Sequence, residues 1–355
     1  MSAPNKDFDL WMGVYVPGVV CTLGIVGNII SLCVLSCDKG NYPTFFSLKA
    51  LAACDIVLLS TALWHQIIPM FCSTMKFGGD FCFNMGYVKV YTWPVICVFH
   101  MNSVWLTVII SAERYSAICR PLHAICIRNY RTVRISVYIS TLISVCFNIP
   151  RFFEYKPRIF LLPDNTSVVY PTDTALRRHD VYRFLYNTAL YCLIIYVIPL
   201  LTLTYLNVKI ARQMRAAVRC WAELNRLQQR ELRATWIPLC IVIVFVVTGT
   251  QSLVSFVLDA VSVHSYIEWI QRYTAVANLL VMLNSAINFL IFYVFGSKFR
   301  RLLRHMVYCR LQALRTGRSS PIFRKRFVTT PCEPASHLST NCQCQQSSSV
   351  RLELS

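Results

Sequence analysis

The sequence is poor in charged residues, and above all in acidic ones. Charged residues make up 14% of the 355-residue chain, with 16 Asp and Glu against 35 Lys and Arg. Hydrophobic residues make up 55%, and the mean hydropathy is +0.49. This composition leaves too little polar surface to cover a soluble domain of this length. The sequence therefore predicts a membrane protein.

Motifs for catalysis and metal binding are also missing. The chain has no His-Glu-x-x-His sequence and no Walker sequence, and it has neither the Gly-x-Ser-Gly nor the paired membrane aspartates of an intramembrane protease. Cys332, Cys342 and Cys344 lack paired ligands at zinc spacing. We therefore expect no enzyme, no structural metal site and no resident cofactor.

Long uncharged hydrophobic runs are abundant. A helix needs about 20 mostly apolar residues to cross the hydrocarbon of a membrane. Two runs fit less cleanly, because Ile135–Pro150 is short and Phe45–Cys72 contains Lys49 and Asp55. Five further runs reach that length without a formal charge, which brings the total to seven: Val14–Cys37, Val90–Ala112, Phe184–Val208, Ala234–Leu258 and Tyr273–Ser297.

These runs predict an all-α membrane protein, a seven-transmembrane helix bundle over residues 14–297. Residues 1–13 would form an extracellular N-terminus, since the first apolar run is too long for a cleavable signal peptide. Residues 298–314 alternate Arg with apolar residues at helical spacing, which predicts an amphipathic interfacial helix on the inner surface. Residues 315–355 are rich in Ser, Thr and Gln and should form a disordered cytoplasmic tail.

Basic residues are concentrated on one side of the predicted bundle. The segments after spans one, three, five and seven hold most of the 35 Lys and Arg, and such an excess marks cytoplasmic loops. We therefore expect a multi-pass protein of the plasma membrane with its N-terminus outside. Asn165 begins a glycosylation acceptor triplet on the predicted outer face. The net charge of +19 would then face anionic inner-leaflet lipid rather than nucleic acid.

Most of the 17 cysteines fall within spans or on the cytoplasmic side, where disulfides rarely persist. Cys72 and Cys82 approach the outer face, and they either pair across a short loop or remain unpaired small residues. Cys309 follows span seven in the basic amphipathic stretch and is a candidate for palmitoylation.

Polar residues within the spans form a candidate site, because each would be costly alone in hydrocarbon. Asn284 and Asn288 share one face of span seven at four-residue spacing. The economical arrangement is convergence in the bundle interior, where the side chains bond to each other, to water or to a cation held by Asp55. The cluster either fixes helix packing alone or forms a polar hub that rearranges during switching. Its members are Asn28, Asp55, Ser103, Asn284 and Asn288.

A charged triplet, Glu113-Arg114-Tyr115, directly follows the uncharged run Val90–Ala112. Charged residues are costly inside a bilayer and tolerable at its edge, so a triplet there is a functional-site hypothesis. The alternative is a simple anchor at the membrane boundary.

Several motifs together resemble the rhodopsin-like G-protein-coupled receptors over roughly residues 14–310. They are Gly27-Asn28, LKALAACD (48–55), ERYSAICRPL (113–122), Pro199 and NSAINFLIFYVFGSKFR (284–300).

The resemblance implies roles for particular residues and partners. Arg114 would participate in the switch that admits a heterotrimeric G protein, and Pro121-Leu122 would lie in the loop that docks it. The polar hub would be a sodium site, with no other cofactor. Arrestin and a receptor kinase would act on the tail, where residues such as Thr329 and Ser339 offer phosphorylation sites.

A narrower resemblance is to invertebrate receptors for FMRFamide-type neuropeptides. It is carried by NIPRFFEYK (148–156), WLTV (105–108), LYCLIIYVIPLLTLTYLNVKIARQMR (190–215) and NFLIFYVFG (288–296). This resemblance implies a short, C-terminally amidated peptide as the ligand.

The chain also departs from the wider family's pattern. Phe289 follows Asn288 where most relatives carry Pro, and Asn207 stands where Tyr is usual. No Cys lies between Cys146 and Cys192, so the bridge that most relatives form between span three and the second outer loop cannot form. Packing and the Arg151–Glu154 region are expected to hold that loop instead.

A pocket for such a peptide needs aromatic walls for a Phe-amide and acids for the ligand's cations. For most of these rings the alternative is a role in the core or in the membrane's aromatic belt. A receptor for a non-peptide chemical ligand is the nearest rival, followed by a transporter or channel, although the chain shows no internal repeat. The candidates are Trp64, His65, Tyr91, Phe99, Tyr191, Phe256, Asp259, Glu268, Trp269 and Tyr273.

Overall fold

The computed structural model describes residue 8 and residues 10–37, 43–74, 80–120, 129–161, 167–220, 243–244, 246–255 and 268–316. Some of the expectations lie outside the described residues: those for Pro121, Leu122, Asn165, Phe256 and Asp259, for residues 1–7, and for the tail beyond residue 316. The side chains of Glu268 and Cys309 lie outside the description as well.

Four long helices run from the N-terminus to the second outer loop. Their order follows the apolar runs of the sequence, and each begins before the run that predicts it. α1 comprises Trp11–Tyr15 and Val16–Ser36, α2 comprises Pro43–Ala62, Leu63–Ile67 and Ile68–Thr74, α3 is Met85–Cys119, and α4 is Tyr130–Asn148 followed by the 3₁₀ turn Ile149–Phe153.

The segment after α4, which the sequence predicts to be the second outer loop, contains an antiparallel β-hairpin. Strand β1 is Tyr155–Leu161 and strand β2 is Ser167–Asp173, with Tyr155 opposite Asp173 and Leu161 opposite Ser167. A short helical turn, Ala175–Arg178, follows β2. The hairpin packs against α3, and it was not predicted from the sequence.

The described residues of the C-terminal half contain four further helical elements. The predicted sixth span is described only in part, and its helical residues 246–255 form α6. α7 is broken into two pieces that are bent by 41°. α5 comprises the wide turns Tyr182–Leu190 and Leu193–Val197 followed by Ile198–Cys220, α7 comprises Glu268–Ala286 and Asn288–Phe295, and α8 is Ser297–Thr316.

Three of the prolines share one local structure. Pro17, Pro69 and Pro199 each lie two residues after a π-helical turn, which ends at Tyr15, Ile67 and Val197 respectively. Proline lacks the N–H that would bond to the carbonyl four residues earlier. A π turn widens the helix at that point and accommodates the missing bond.

α3 lies at the centre of the described bundle, where it packs against α2, α4, α5 and the hairpin. Apolar clusters fill the spaces between helices. One joins α2, α3, α7 and α8 around Leu51, Leu106 and Phe292, and another joins α3 to α5 around Met101 and Ile195. Among the described residues, five helices are long and apolar enough to cross a membrane, and the bent α7 makes a sixth. The remaining predicted span is the one that contains α6.

Candidate functional site

A buried polar hub joins α1, α2, α3 and α7. Asp55 on α2 is fully buried and accepts a 2.8 Å hydrogen bond from the Ser103 hydroxyl and a 2.7 Å bond from the Asn288 amide. Asn28 on α1 is also fully buried, and its amide donates to the Ser285 carbonyl at 2.9 Å. Four of the five predicted hub residues therefore converge in the interior.

The fifth predicted hub residue, Asn284, is half-buried, and within the described ranges none of the hub's hydrogen bonds reaches it. Ser285, which is 1% exposed, takes its place. The reason is the break in α7. Four-residue spacing places two residues on one face only in a continuous helix, and the helix bends between Asn284 and Asn288.

The break in α7 occurs without a proline, since Asn288 is followed by Phe289. The Asn28 side chain bonds to the Ser285 carbonyl, in the last turn before the break. Phe289 follows the break and packs closely on α1, since a Cβ on Gly27 would lie 2.9 Å from the Phe289 Cβ. Side chains of α1 and α2 thus bond to α7 on both sides of the bend.

The predicted switch triplet lies within α3 rather than after it. Glu113, Arg114 and Tyr115 are half-buried in the last turns of the helix, which continues to Cys119. The hydroxyl of Ser47 on α2 donates to Glu113 Oε1. Ser47 is fully buried and was not selected from the sequence, because a single Ser inside an apolar run carries no signal of its own.

Three of the predicted ligand-binding rings are exposed on the bundle surface. Tyr91 is 64% exposed, Trp269 56% and Trp64 45%. Exposure of this size favours the alternative role in a membrane belt over a place in the wall of an enclosed pocket.

Four other predicted ring residues are buried or half-buried within the bundle. His65 Nδ1 lies 3.0 Å from the Thr92 hydroxyl, and the Tyr273 hydroxyl donates to Gln251 Oε1 at 2.6 Å. Phe99 packs against the cluster around Leu51 and Leu106. Tyr191 is 6% exposed and lies under the guanidinium of Arg151, at 4.2 Å from the ring centroid.

A disulfide joins Cys72, near the end of α2, to Cys82 in the short helical turn Asp80–Phe83 that precedes α3, with an S–S distance of 2.08 Å. No group of three His, Cys, Asp or Glu within the described ranges could hold a metal ion.

The model of the 7-transmembrane receptor (rhodopsin) family matches residues 27–292. The chain belongs to this family. Membership confirms the predicted seven-helix fold class and makes the protein a multi-pass membrane receptor rather than an enzyme. It also accounts for the order of the motifs from Gly27-Asn28 to the segment that begins at Asn284.

This receptor is similar over most of its length to curated neuropeptide receptors. It is 32% identical over 300 residues to the FMRFamide receptor of Drosophila melanogaster, which covers 84% of this chain and 54% of that protein. It is 25% identical over 296 residues to the FMRFamide peptide receptor frpr-18 of Caenorhabditis elegans, covering 80% and 66%. The Sex peptide receptor of Drosophila is 27% identical over 324 residues, covering 81% and 71%. The narrower resemblance seen in the sequence is thereby confirmed, and the receptor spans about half the length of the Drosophila FMRFamide receptor.

Proposed function

We propose that this receptor binds a short, C-terminally amidated peptide on the outer side of the plasma membrane and activates a heterotrimeric G protein inside. The observation that carries the ligand class is the 32% identity to a protein named as an FMRFamide receptor. The N-terminus and the β-hairpin would lie outside, and the triplet Glu113–Tyr115 would face the cytoplasm.

The polar hub supports a switching role. One buried carboxylate, Asp55, is bonded only to neutral donors among the described residues, and those donors lie on α3 and α7. Since a lone buried charge is costly, rearranging these helices changes how well that charge is stabilised. A rearrangement of α3 and α7 around Asp55 can therefore be coupled to ligand binding at one end of the bundle and to Arg114 at the other.

The hub's oxygen atoms also suit a sodium ion. Asp55 and Ser103 supply a carboxylate and a hydroxyl oxygen, and Asn28 Oδ1 is buried without a hydrogen-bond donor among the described residues. A bound cation would neutralise Asp55 in the resting receptor. We further propose that arrestin and a receptor kinase bind the tail, and that lipid binds the basic face of α8. Cys309 would carry a palmitoyl group and Asn165 a glycan.

The test is a calcium or cAMP response in cells that express the receptor, challenged with a panel of amidated peptides and their free-acid forms. We expect a nanomolar response to one or more amidated peptides and a loss of potency for the acids. An Arg114→Ala variant at equal surface expression is the control that should stay silent. Silence from the surface-expressed wild type across several G-protein reporters would contradict the proposal and favour a non-peptide ligand.

A further inference from the structure

A single buried carboxylate connects the second outer loop to three helices. Glu154 ends the 3₁₀ turn of α4, immediately before β1, and is fully buried. It accepts hydrogen bonds from donors on α3, on α4, on the segment after β2 and on α5. The donors are Trp93 Nε1 at 3.2 Å, Arg151 Nη1 at 3.3 Å, Arg177 Nη1 at 3.1 Å and Tyr182 Oη at 3.0 Å.

The backbone and side chains around Glu154 also fix both ends of the hairpin. The Thr174 amide donates to the Glu154 carbonyl at 3.0 Å, and the Thr174 hydroxyl donates to the Phe153 carbonyl at 2.6 Å. Arg177 also pairs with Asp173 at 3.2 Å and lies over the Tyr155 ring at 4.5 Å. Burial raises the pKa of Tyr155 to about 12, so this ring is neutral beneath the cation. The first residue of β1 and the last residue of β2 are thus bound to one charge cluster.

Arg151 is one of the two cations that balance the charge of Glu154. It is 2% exposed, and its Nη1 also donates to Asn187 Oδ1 on α5 at 2.6 Å. Its guanidinium lies 4.2 Å from the Tyr191 ring centroid, and Trp93 and Tyr186 lie within 6 Å of it (5.8 and 5.6 Å). A buried ion pair is held firmly only when further hydrogen bonds and favourable contacts offset the cost of desolvation, and this pair has them from α3, from α5 and from the segment after β2.

A steric contact positions the body of the hairpin. Val169 of β2 is 5% exposed, and a Cβ on Gly86 of α3 would lie 2.0 Å from the Val169 carbonyl oxygen. The strand therefore lies directly on the α3 backbone. A covalent link is impossible here, since no Cys occurs between Cys146 and Cys192.

We propose that Glu154 is a positioning residue for ligand binding, which holds the β1–β2 hairpin against α3 and α5 by charge where other receptors use a disulfide. The ligand-binding half of this inference rests on the proposed function. The anchoring half does not rest on the proposed function. Because the anchor is an ion pair and not a disulfide, the position of the loop would be independent of redox state.

Anchoring is tested without a ligand, by hydrogen–deuterium exchange on the purified full-length receptor. In Glu154→Gln, amides of residues 155–161 and 167–173 should exchange at least about tenfold faster than in wild type, while α2 and α3 keep their protection. Asp180→Asn is the matched control, because Asp180 is an acid of the same loop that is 86% exposed and pairs only with Arg183 among the described residues. Its exchange should equal that of wild type, and a reductant that opens the Cys72–Cys82 bond should leave the hairpin of wild type protected.

Unchanged hairpin exchange in Glu154→Gln would overturn the anchoring role, as would release of the hairpin by the reductant alone. If Glu154→Gln cannot be purified, Arg177→Gln removes one donor to the same carboxylate from a side chain that is 25% exposed. It should accelerate hairpin exchange about threefold, and no acceleration would overturn the proposal equally.

The positioning role is tested with whichever amidated peptide activates the wild type. The EC50 of Glu154→Gln should rise at least about tenfold with the maximal response retained at equal surface expression, and Glu154→Asp should recover part of the potency. A released hairpin with unchanged potency would overturn the positioning role. If no peptide activates the wild type, the exchange result still decides the anchoring role, and only the proposed function fails.

Discussion

Asp55 and Glu154 are both fully buried carboxylates, and the groups that surround them differ in charge. Asp55 accepts hydrogen bonds from a hydroxyl and an amide, with no cationic side chain in an ion pair with it among the described residues. Glu154 forms ion pairs with Arg151 and Arg177 and accepts further bonds from Trp93 and Tyr182. The same chemical group is therefore used in two different ways within one bundle.

From this difference we expect that the hub around Asp55 can rearrange and that the cluster around Glu154 cannot. A carboxylate with two cationic partners and a full set of donors loses several interactions in any rearrangement, so it holds its surroundings in one arrangement. A carboxylate with neutral partners only is incompletely stabilised, so a cation or a further donor that reaches it would stabilise its charge. The outer cluster should thus be rigid and the inner hub adjustable.

The largest effect is expected at the outer cluster. Arg151→Met should lower the free energy of unfolding by about 3–5 kcal/mol, because it leaves a buried carboxylate with one cation fewer. Thermal unfolding of the detergent-solubilised receptor measures the loss. Arg183→Gln is the control, since Arg183 is 45% exposed and its surface ion pair should contribute less than about 1 kcal/mol. Equal stability of Arg151→Met and wild type would show that the charge cluster does not hold the loop.

A second test concerns the contact beneath the hairpin. Gly86→Ala should destabilise the receptor by about 1–3 kcal/mol, because the new methyl group overlaps the Val169 carbonyl and must displace β2. Gly18→Ala is the matched control on α1, where the nearest atom to an added Cβ is Ile67 Cγ2 at 3.8 Å. Thermal unfolding and hairpin exchange would be measured together. Equal unfolding temperatures and equal hairpin exchange in the two variants would show that the contact between α3 and β2 does not position the hairpin.

A substitution in the inner hub should change the sodium dependence of agonist potency rather than the stability of the receptor. Asp55→Asn removes the charge and keeps an acceptor for Ser103, and the Asn288 amide can turn its oxygen toward the new amide. Stability should therefore change by less than about 1 kcal/mol, while sodium ions should no longer shift agonist potency. Radioligand or reporter titrations with and without sodium measure this, with potassium as the ionic-strength control. A sodium effect that persists in Asp55→Asn would locate any cation elsewhere.

The smallest change is expected at the inner end of α2. Ser47→Ala removes the hydroxyl that donates to Glu113, so the resting position of the triplet should be less stable. Basal G-protein activity should rise several-fold at equal surface expression, with little change in thermal stability. Ser140→Ala on α4, which removes a 3.3 Å bond to Asn102, is the control and should leave basal activity unchanged.

Composition and periodicity predict the bundle well, because spans are set by length and hydrophobicity alone. The hub residues were predicted from a second rule, that polar groups buried in the membrane need partners. They are Asn28, Asp55, Ser103 and Asn288. Asn284 was predicted in the hub but takes no part in its hydrogen bonds among the described residues, because the bend in α7 depends on tertiary bonds that spacing does not reveal.

The hairpin of the second outer loop could not be predicted either. Its position against α3 involves the close approach of Val169 to Gly86, a contact between residues far apart in the sequence. The missing cysteine did indicate that the loop must be held in another way, and the Arg151–Glu154 region was expected to do so. The partners of that pair on α3 and α5, Trp93 and Tyr182, became evident only in the structure.

The contrast between the two carboxylates is tested most directly by thermal unfolding of Glu154→Gln and Asp55→Asn side by side, in the full-length receptor and the same detergent. The two substitutions remove the same charge from equally buried sites. We expect a large fall in the unfolding temperature for Glu154→Gln and little change for Asp55→Asn. Equal shifts, or a larger fall for Asp55→Asn, would contradict the distinction between a rigid outer anchor and an adjustable inner hub.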